Sequence, residues 1–391
     1  MSIEPGGNAR YSGQSGPLFN LVFITSLLTM LTVGIYRFWA KTRLRKYIWS
    51  SVSVDGDRFE YTGTGLEKLL GFLIAIAFLA VYLGVIQVVL TFLGIGLLSR
   101  NHTEITIIIS VYLSLFAVLP FILFAVYRAR RYRLARTRFR GIRFGMENAA
   151  WGYVPRAIGH SILTGLTLGI LLPRQTFYLE KYMTDRSFYG DARFEQTGRW
   201  QDLYGAMKHI FIGLGLMVAG AAIAGLVNDV LGGILIVTGY FWFFIGFLYY
   251  RVHSFAYLTN HKTLNGTVTF QAAPRTGKVI KIFVLGGLAI GLAGAVMAGI
   301  FGGMMYGMAI SGNLAQVPVL TVVVMSVIYL AAFLVLGALA TVMILQPVIA
   351  HLINTLRVNN IASLAGVRQR EADKGADAEG FADALDIGGA I

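Results

Sequence analysis

The densest group of residues suited to chemistry in this sequence is a run of arginines between Val126 and Met146. The run contains no acidic residue, and its members are Arg128, Arg130, Arg131, Arg133, Arg136, Arg138, Arg140 and Arg143. Tyrosines and phenylalanines alternate with these arginines. Such a mixture suits stacking on nucleic-acid bases, and it equally suits an interfacial helix whose aromatic rings lie at headgroup level. We predict a lipid-facing anchor at the membrane interface, with an anionic-lipid headgroup pocket between repeats and base stacking as the alternatives.

Membrane phospholipid is the partner that the whole sequence favours over nucleic acid. The formal net charge is +14, and most of the basic excess lies beside apolar segments. Near an anionic membrane each Lys or Arg contributes about 1 kcal/mol of attraction. We predict anionic phospholipids as the partner and no nucleic acid. The predicted contact residues are Arg37, Lys41, Arg43, Arg45, Lys46, Arg128, Arg130, Arg131, Arg133, Arg136 and Arg138.

The residue types and their spacing do not indicate an enzyme active site or a metal site. The chain contains no cysteine, which excludes thiolate nucleophiles, disulfides and Cys-ligated zinc. Its six histidines match no metal-ligand spacing, and the sequence has no nucleophile-elbow or paired-carboxylate signature. We therefore predict no catalytic residue, no metal site and no cofactor.

Membrane helices are the elements that must position the basic residues. Of the 391 residues, 56% are hydrophobic and 13% are charged, whereas about a quarter of the residues in soluble domains are charged. A helix needs about 20 apolar residues to cross the hydrocarbon core. The uncharged stretches of about this length or longer are Leu69 to Leu98, Ile105 to Tyr127, Ile210 to Val227, Val230 to Tyr250, Ile282 to Ile310 and Val317 to Ala350.

An internal repeat organises the chain. A shift of 135 residues aligns Leu28 to Gly63 with Leu163 to Gly198, and shorter echoes lie around Tyr132 to Phe144 and Phe255 to Phe270. Each copy has a basic or polar helix, an alternating segment around a turn such as Asp55-Gly56, and a glycine before the next apolar helix. We predict short strands that share a small sheet at the membrane surface. Independent loops of common ancestry are the alternative.

The distribution of basic residues separates two topologies. The segments Leu18 to Tyr36 and Ala157 to Leu172 either span the membrane or return on the same side. With eight spans the Lys and Arg residues divide 16 to 17, whereas with six spans 32 of 33 lie on one side. Because cytoplasmic loops carry the basic excess, we predict six full spans, two short re-entrant or interfacial helices, and both termini on the cytoplasmic side of a bacterial inner membrane.

The predicted fold class is a membrane all-α bundle with internal repeats and short cytoplasmic β-hairpins. Residues 1–16 form a polar segment, and residues 366–391 a disordered tail. The first membrane repeat, 17–148, contains a re-entrant segment at 18–36, strands at about 50–62 and 137–146, and spans at 69–98 and 105–127. The second repeat, 149–365, contains a re-entrant segment at 157–172, strands at about 184–197, and spans at 208–228, 230–250, 280–310 and 317–350.

A stripe of small residues recurs at every fourth position of one apolar segment. Its members are Gly287, Gly291, Ala295, Gly299, Gly303 and Gly307. Because helices in lipid associate through close packing, such a stripe lets another backbone approach. The partner helix belongs either to the same chain or to a second copy in a homo-oligomer, and the sequence leaves both open.

Two of these segments carry a family resemblance. The run from Leu27 to Tyr47, LLTMLTVGIYRFWAKTRLRKY, is followed by DGDRFEYTGTG from Asp55 to Gly65. Together they resemble the YjgN-type family of bacterial inner-membrane proteins, a domain of unknown function. The second repeat departs from this pattern at Leu171-Leu172-Pro173-Arg174. The resemblance implies a multi-pass inner-membrane location and supplies no activity, substrate or catalytic residue.

Three classes of function remain. The first, which the basic repeats and uncharged spans favour, is a non-enzymatic protein that binds or organises lipid, or scaffolds a partner at the cytoplasmic face. The second is a transporter or channel for a small solute or lipid, which the duplicated architecture supports. The third is a lipid-modifying enzyme that uses polar groups such as Glu60, Glu195 and Asp202.

Overall fold

Helices alternate with short pairs of strands along the whole chain. The computed structural model describes residues 7–96, 103–310 and 319–371. The elements up to residue 196 are β1 (Gly7–Tyr11), α1 (Ser15–Leu31), α2 (Arg37–Ser50), β2 (Val52–Val54), β3 (Asp57–Tyr61), α3 (Gly65–Phe92), α4 (Glu104–Ala135), β4 (Thr137–Phe139), β5 (Ile142–Met146), α5 (Ala150–Leu166), α6 (Leu172–Thr184), β6 (Ser187–Tyr189) and β7 (Ala192–Gln196). The later elements are a 3-10 segment (Trp200–Met207), α7 (Lys208–Leu226), α8 (Asp229–Asn260), β8 (Lys262–Leu264), β9 (Val268–Ala272), α9 (Thr276–Ile310), α10 (Val319–Ala340), a π-helical turn (Thr341–Leu345), α11 (Gln346–Asn354) and β10 (Leu356–Asn359).

Some predicted segments lie partly outside the described residues. These are positions 1–6 of the polar segment, 97–98 and 317–318 of two predicted spans, and 372–391 of the predicted tail.

Six helices of the described chain are long and apolar enough to cross a membrane. They are Gly65–Phe92, Glu104–Ala135, Trp200–Leu226, Asp229–Asn260, Thr276–Met308 and Val319–Asn354. At most 17% of the most apolar stretch of each helix is buried inside the protein. Apolar surface exposed on this scale is stable in lipid, where a helix also satisfies its own backbone hydrogen bonds.

The ten strands form a closed antiparallel barrel, in the order β1-β10-β9-β8-β7-β6-β5-β4-β3-β2. The predicted fold class, an all-α bundle with a small sheet, is therefore wrong. Four strand pairs follow from the repeat, but the fifth pair joins the two ends of the chain. In β1, Gly7 is opposite Val358 of β10, and Ala9 is opposite Val54 of β2. Because this fifth pair bonds on both sides, the sheet has no open edge.

Period-2 alternation gives the strands one apolar and one polar face. In β1, for example, Ala9 is buried while Asn8 and Arg10 are exposed. Along β3 to β7 the apolar face is rich in aromatic rings: Phe144 lies 4.8 Å from Tyr189, 6.3 Å from Phe59 and 6.4 Å from Phe194, measured between ring centroids. In a flat sheet, strands two positions apart are separated by about 10 Å. Curvature brings their rings closer together on the concave side. The concave side of this arc is thus lined by aromatic side chains.

Two-residue turns close the strand pairs where the sequence predicts them. Asp55 and Gly56 have φ values of 54° and 88°, and Asn265 and Gly266 have 52° and 69°. Both residues of a type I′ turn need this left-handed conformation, which Asp, Asn and Gly adopt most readily.

The 135-residue repeat encodes two helical hairpins, α1–α2 and α5–α6. In the first turn Gly34 has a φ of 89°, and the Thr32 hydroxyl donates to the Leu28 carbonyl and accepts from the Tyr36 amide. In the second turn Thr167 makes the equivalent contacts. At the base of the first hairpin the Tyr47 hydroxyl donates to the Gln14 carbonyl at 2.7 Å. Each hairpin therefore leaves one strand and returns to the next, as β1 and β2 show for the first.

The chain divides into two compact units. The first comprises Met1–Arg58, Asp202–His261 and Thr269–Ile361, and the second comprises Phe59–Gln201, Lys262–Val268 and Ala362–Ile391. Inside the first unit α7 and α8 pack through glycines. A Cβ atom at Gly213 would lie 2.5 Å from the Phe243 amide nitrogen, and one at Gly246 would lie 2.7 Å from that of Ile210. These glycines allow the two backbones to approach closely.

Candidate functional site

An apolar groove of about 320 Å³ opens between α3, α4 and α5 in the second unit. It is lined by Ile74, Ala75, Phe78, Leu79, Val118, Phe121, Ile122, Phe124, Ala125 and Trp151. Several of these side chains are largely exposed, including Ile74 at 70% and Trp151 at 68%. The groove thus offers an apolar concave surface on two of the spanning helices.

Contacts between α3 and α4 close the groove at the end farther from the barrel. The Tyr82 ring meets Phe121 edge-on at 4.6 Å, and the Tyr82 hydroxyl donates to the Ala117 carbonyl at 3.2 Å. One turn deeper, Gln87 Nε2 donates to Ser114 Oγ at 2.7 Å. These polar contacts hold the two helices together in a region where lipid offers no hydrogen-bond partner.

A cation and an indole ring mark the end of the groove nearer the barrel. The Arg128 guanidinium lies 4.8 Å from the centroid of Phe124, whose ring is 4.9 Å from Trp151. Arg128 follows Phe124 by one helical turn, about 6 Å along α4. Arginine and tryptophan are typical of the membrane interface. The arrangement can therefore hold an apolar chain with an anionic group at its barrel-side end.

Several of the other predicted contact arginines between Arg130 and Arg138 have partners inside the second unit. Arg131 is 3% exposed, and its Nε donates to the Met146 carbonyl at 2.8 Å. The Arg136 guanidinium lies 3.1 Å from the Glu67 carboxylate, which also accepts from the buried Tyr132 hydroxyl at 2.8 Å. These contacts connect α4 to α3 and β5. Arg133 and Arg138 are half-buried.

Arg130 belongs to an ion cluster formed by α4, α6 and β8. Its guanidinium pairs with Glu180, which also lies 3.3 Å from the Lys262 ammonium and accepts from the Thr184 hydroxyl at 3.0 Å. Burial alone would raise the pKa of Glu180, but Arg130 and Lys262 hold it well below its ordinary value. Burial lowers the pKa of Lys262. With two cations beside it, the Glu180 carboxylate stays ionised and does not exchange protons near neutral pH. The cluster therefore has a structural role.

The predicted contact residues of α2 lie in the first unit, and as a group they are more exposed than those of α4. Arg43 and Lys46 are exposed, Arg37 and Lys41 are half-buried, and Arg45 is 2% exposed. The structure therefore places the predicted contact residues of α2 and those of α4 in different units. Arg37 and Lys41 line a groove of about 500 Å³ in the first unit, and Arg128 lies beside the apolar groove of the second unit.

Three further arginines at cavities are not distinguished by the sequence pattern. Arg10, Arg275 and Arg357 line two polar cavities of the first unit, beside β10. They stand singly in the sequence and form no run, so charge density did not reveal them. The available signal was the alternation in Leu356-Arg357-Val358-Asn359, which is typical of a strand.

The stripe of small residues on α9 faces open space. Gly287, Gly291, Ala295, Gly299, Gly303 and Gly307 are all exposed. No described residue lies within 4 Å of a Cβ atom built on its glycines. The homo-oligomer face predicted from this stripe stays a prediction. Among residues 7–96, 103–310 and 319–371, no three His, Asp or Glu side chains cluster as metal ligands would.

Comparisons with known proteins agree with the resemblance seen in the sequence. The model of a family described as "Bacterial protein of unknown function (DUF898)" matches residues 7–384. The inner membrane protein YjgN of Salmonella typhimurium is 24% identical over 148 residues, which are 37% of this chain and 33% of that protein. YjgN of Escherichia coli O157:H7 is 26% identical over 137 residues, 35% of this chain and 30% of that protein.

The alignments span about a third of the length of these curated relatives. No solved structure matches the chain. The relatives and the six apolar helices confirm the predicted multi-pass location in the inner membrane. Since the family model covers nearly the whole sequence, the chain belongs to the DUF898 family of bacterial proteins, the YjgN-type family whose activity is unknown.

Proposed function

We propose that this protein binds anionic phospholipid at the cytoplasmic face of the inner membrane without catalysing a reaction. The observation that carries the proposal is the groove between α3, α4 and α5, with Arg128 at its barrel-side end. One acyl chain occupies the groove, and the phosphate of the same lipid meets the guanidinium. Arginine suits this role because its planar guanidinium can donate two parallel hydrogen bonds to a phosphate group.

The orientation that the proposal requires has the barrel and both described chain ends in the cytoplasm. Its support is the distribution of basic residues in the sequence, since the six-span topology puts 32 of 33 on one side. With this orientation, the groove begins in the cytoplasmic leaflet and extends toward the membrane centre. Arg128 then lies on the headgroup side of the groove, where anionic lipids concentrate.

Fluorescence quenching tests the site directly, because Trp151 lines the groove. A variant with Trp39, Trp49, Trp200 and Trp242 replaced by Phe retains Trp151 alone. It is reconstituted in phosphatidylcholine vesicles that contain a small fraction of phosphatidylglycerol or phosphatidylcholine with brominated acyl chains. We expect phosphatidylglycerol to quench Trp151 at a several-fold lower mole fraction.

Two kinds of control test the assignment: substitution of Arg128, and a second reporter tryptophan outside the groove. Arg128→Gln should remove the preference for phosphatidylglycerol, whereas Arg128→Lys should retain most of it. Arg251→Gln removes an exposed cation of α8 that does not line the groove, and should leave the preference intact. A chain retaining only Trp242 on α8 should respond equally to both lipids. Equal quenching of Trp151 by both lipids with Arg128 present would refute the proposal.

A further inference from the structure

Two polar cavities flank β10 in the first unit. One, of about 670 Å³, is lined by Asn260, Gln271, Ala272, Ala273, Arg275, Asn354, Thr355 and Arg357. The other, of about 500 Å³, is lined by Asn8, Ala9, Arg10, Tyr11, Asn354 and Arg357. Arg357 and Asn354 line both. From these cavities we infer a binding site for a soluble small molecule that carries two phosphate groups.

Backbone hydrogen bonds hold the walls of the larger cavity in place. The Asn260 side chain, at the end of α8, accepts from the Ala272 amide at 2.6 Å and donates to the Ala272 carbonyl at 3.2 Å. The Arg275 amide donates to His351 Nε2 at 2.9 Å. The ends of α8 and α11 are thereby tied to β9 and the start of α9. The cavity is thus a preformed feature, which lowers the entropic cost of binding.

The smaller cavity is built in a similar way on the other side of β10. Asn8 lies opposite Arg357 in the β1–β10 register. The Tyr11 amide donates to Asn354 Oδ1 at 2.8 Å. Burial and the neighbouring Tyr47 raise the pKa of Tyr11 to about 12, so its hydroxyl stays neutral. The wall around Arg357 therefore adds no negative charge.

The three guanidinium groups of the cavities have no partner within the described chain. Arg10, Arg275 and Arg357 are exposed, and none of them forms an ion pair or a side-chain hydrogen bond with a described residue. No acidic residue is among the lining residues of either cavity. The site therefore carries three positive charges. A phosphate group carries about −1.5 to −2 at neutral pH, so two phosphates match the site.

The depth of the cavities along two helices favours a soluble ligand over a lipid headgroup. On α9 the first largely exposed apolar side chain is Val284, nine residues or about 13 Å beyond Arg275. On the helix that ends at Asn354, the last such side chain is Met343, eleven residues or about 16 Å away. The headgroup layer is about 5 to 8 Å thick on each side of a bilayer. On α8, whose last residue Asn260 lines the larger cavity, the last side chain exposed to a similar extent is Phe255, five residues or about 7 Å away. The distances along α9 and along the helix that ends at Asn354 favour an aqueous ligand, and the comparison of neutral with anionic nanodiscs separates it from a lipid headgroup.

Calorimetric titration of the full chain in phosphatidylcholine nanodiscs tests the inference, with inorganic pyrophosphate as the probe. We expect saturable binding, which Arg357→Gln weakens at least tenfold because Arg357 lines both cavities. Arg357→Lys should weaken binding less, since it keeps the charge and loses the two-point geometry. Arg58→Gln is the matched control, because Arg58 is an exposed arginine of β3 in the same unit. It should leave pyrophosphate binding within twofold.

Each other outcome overturns a stated part of the inference. Absence of binding heat, or equal losses in Arg357→Gln and Arg58→Gln, would leave no site at the cavities. Equal affinity for inorganic phosphate would contradict a two-phosphate ligand. Loss of pyrophosphate binding in phosphatidylglycerol nanodiscs would identify a lipid headgroup as the occupant. The inference is independent of the proposed lipid groove, because Trp151 quenching reports on that groove alone.

Discussion

Arg130 and Glu180 form a bidentate ion pair, with Nη1 2.5 Å from Oε2 and Nη2 2.8 Å from Oε1. The pair is mostly buried, at 25% and 21% side-chain exposure, and Lys262 approaches the same carboxylate. It joins α4 to α6, the two helices that precede β4 and β6, and Lys262 adds β8. A single carboxylate thus fastens two helices and a barrel strand of the second unit.

Glu180→Gln should lower the free energy of unfolding by about 3 kcal/mol, because it leaves Arg130 and Lys262 partly buried without their anion. Thermal or denaturant unfolding in detergent micelles measures the change. Arg193→Gln is the control: Arg193 pairs with Glu147 at the surface and is 57% exposed, so its loss should cost less than about 1 kcal/mol. Similar effects of the two substitutions would contradict the central role of Glu180.

Acid should weaken the native state through the same carboxylate. The pKa of Glu180 is lowered in the folded protein, whereas an unfolded Glu has a pKa of about 4.3. The stabilisation is therefore complete above the unfolded pKa and is lost as pH falls toward the folded pKa. The difference in melting temperature between wild type and Glu180→Gln should be constant above about pH 5 and shrink below pH 4. A difference that persists unchanged at pH 3 would disprove this linkage.

Glycines of α8 and α9 should respond oppositely to alanine. A Cβ atom at Gly239 would lie 2.8 Å from the Met217 amide nitrogen, whereas none of the described residues is within 4 Å of one at Gly291. Gly239→Ala should therefore destabilise the protein by about 2 kcal/mol through overpacking. Gly291→Ala should be neutral or stabilising by about 0.5 kcal/mol, since it removes backbone freedom. Melting temperatures in the same micelles compare them; equal losses would contradict the α7–α8 packing.

Cysteine labelling should place distant strands on one side of the membrane. Glu60 in β3 and Glu195 in β7 are exposed positions of the same barrel, and the chain has no native cysteine. Glu60→Cys and Glu195→Cys should both react with an impermeant maleimide in inverted vesicles and stay unlabelled in spheroplasts. Asp229→Cys, at the start of the 32-residue α8, should show the reverse pattern because that helix is about 48 Å long. Labelling of Glu60→Cys and Glu195→Cys from opposite sides would contradict the topology.

Several local features follow from the sequence because they depend on neighbouring residues. The uncharged stretches predict six apolar helices, and the structure has six in its described part. The Asp55-Gly56 turn forms where it was expected, and Asn265-Gly266 forms the equivalent turn in the echo around Phe255 to Phe270, since these residues favour positive φ. Likewise, the aligned segments that begin at Leu28 and Leu163 produce the same helical turn twice, because the hydroxyls of Thr32 and Thr167 hydrogen bond to residues three and four positions away.

Residue type did not predict how each basic side chain is used. Arg128, Arg130 and Arg131 lie within four positions of one another, yet the first lies beside a groove, the second pairs with Glu180 and the third is buried against a carbonyl. Successive positions on a helix point about 100° apart, so the neighbouring elements decide each environment. The cavity arginines, such as Arg357, were missed because β1 and β9 bring their neighbours from far along the chain.

The sequence by itself determined that this protein is an integral membrane protein and that it contains an internal repeat. It also determined that most basic residues lie next to the apolar helices. Hydropathy, turn chemistry and charge are local properties, so they can be read along the chain. Only the tertiary structure decided that the strands close into a barrel, since Gly7 and Val358 pair across 351 positions of sequence. It also decided which cations are buried and which stand free at cavities, because burial depends on contacts that sequence proximity does not specify.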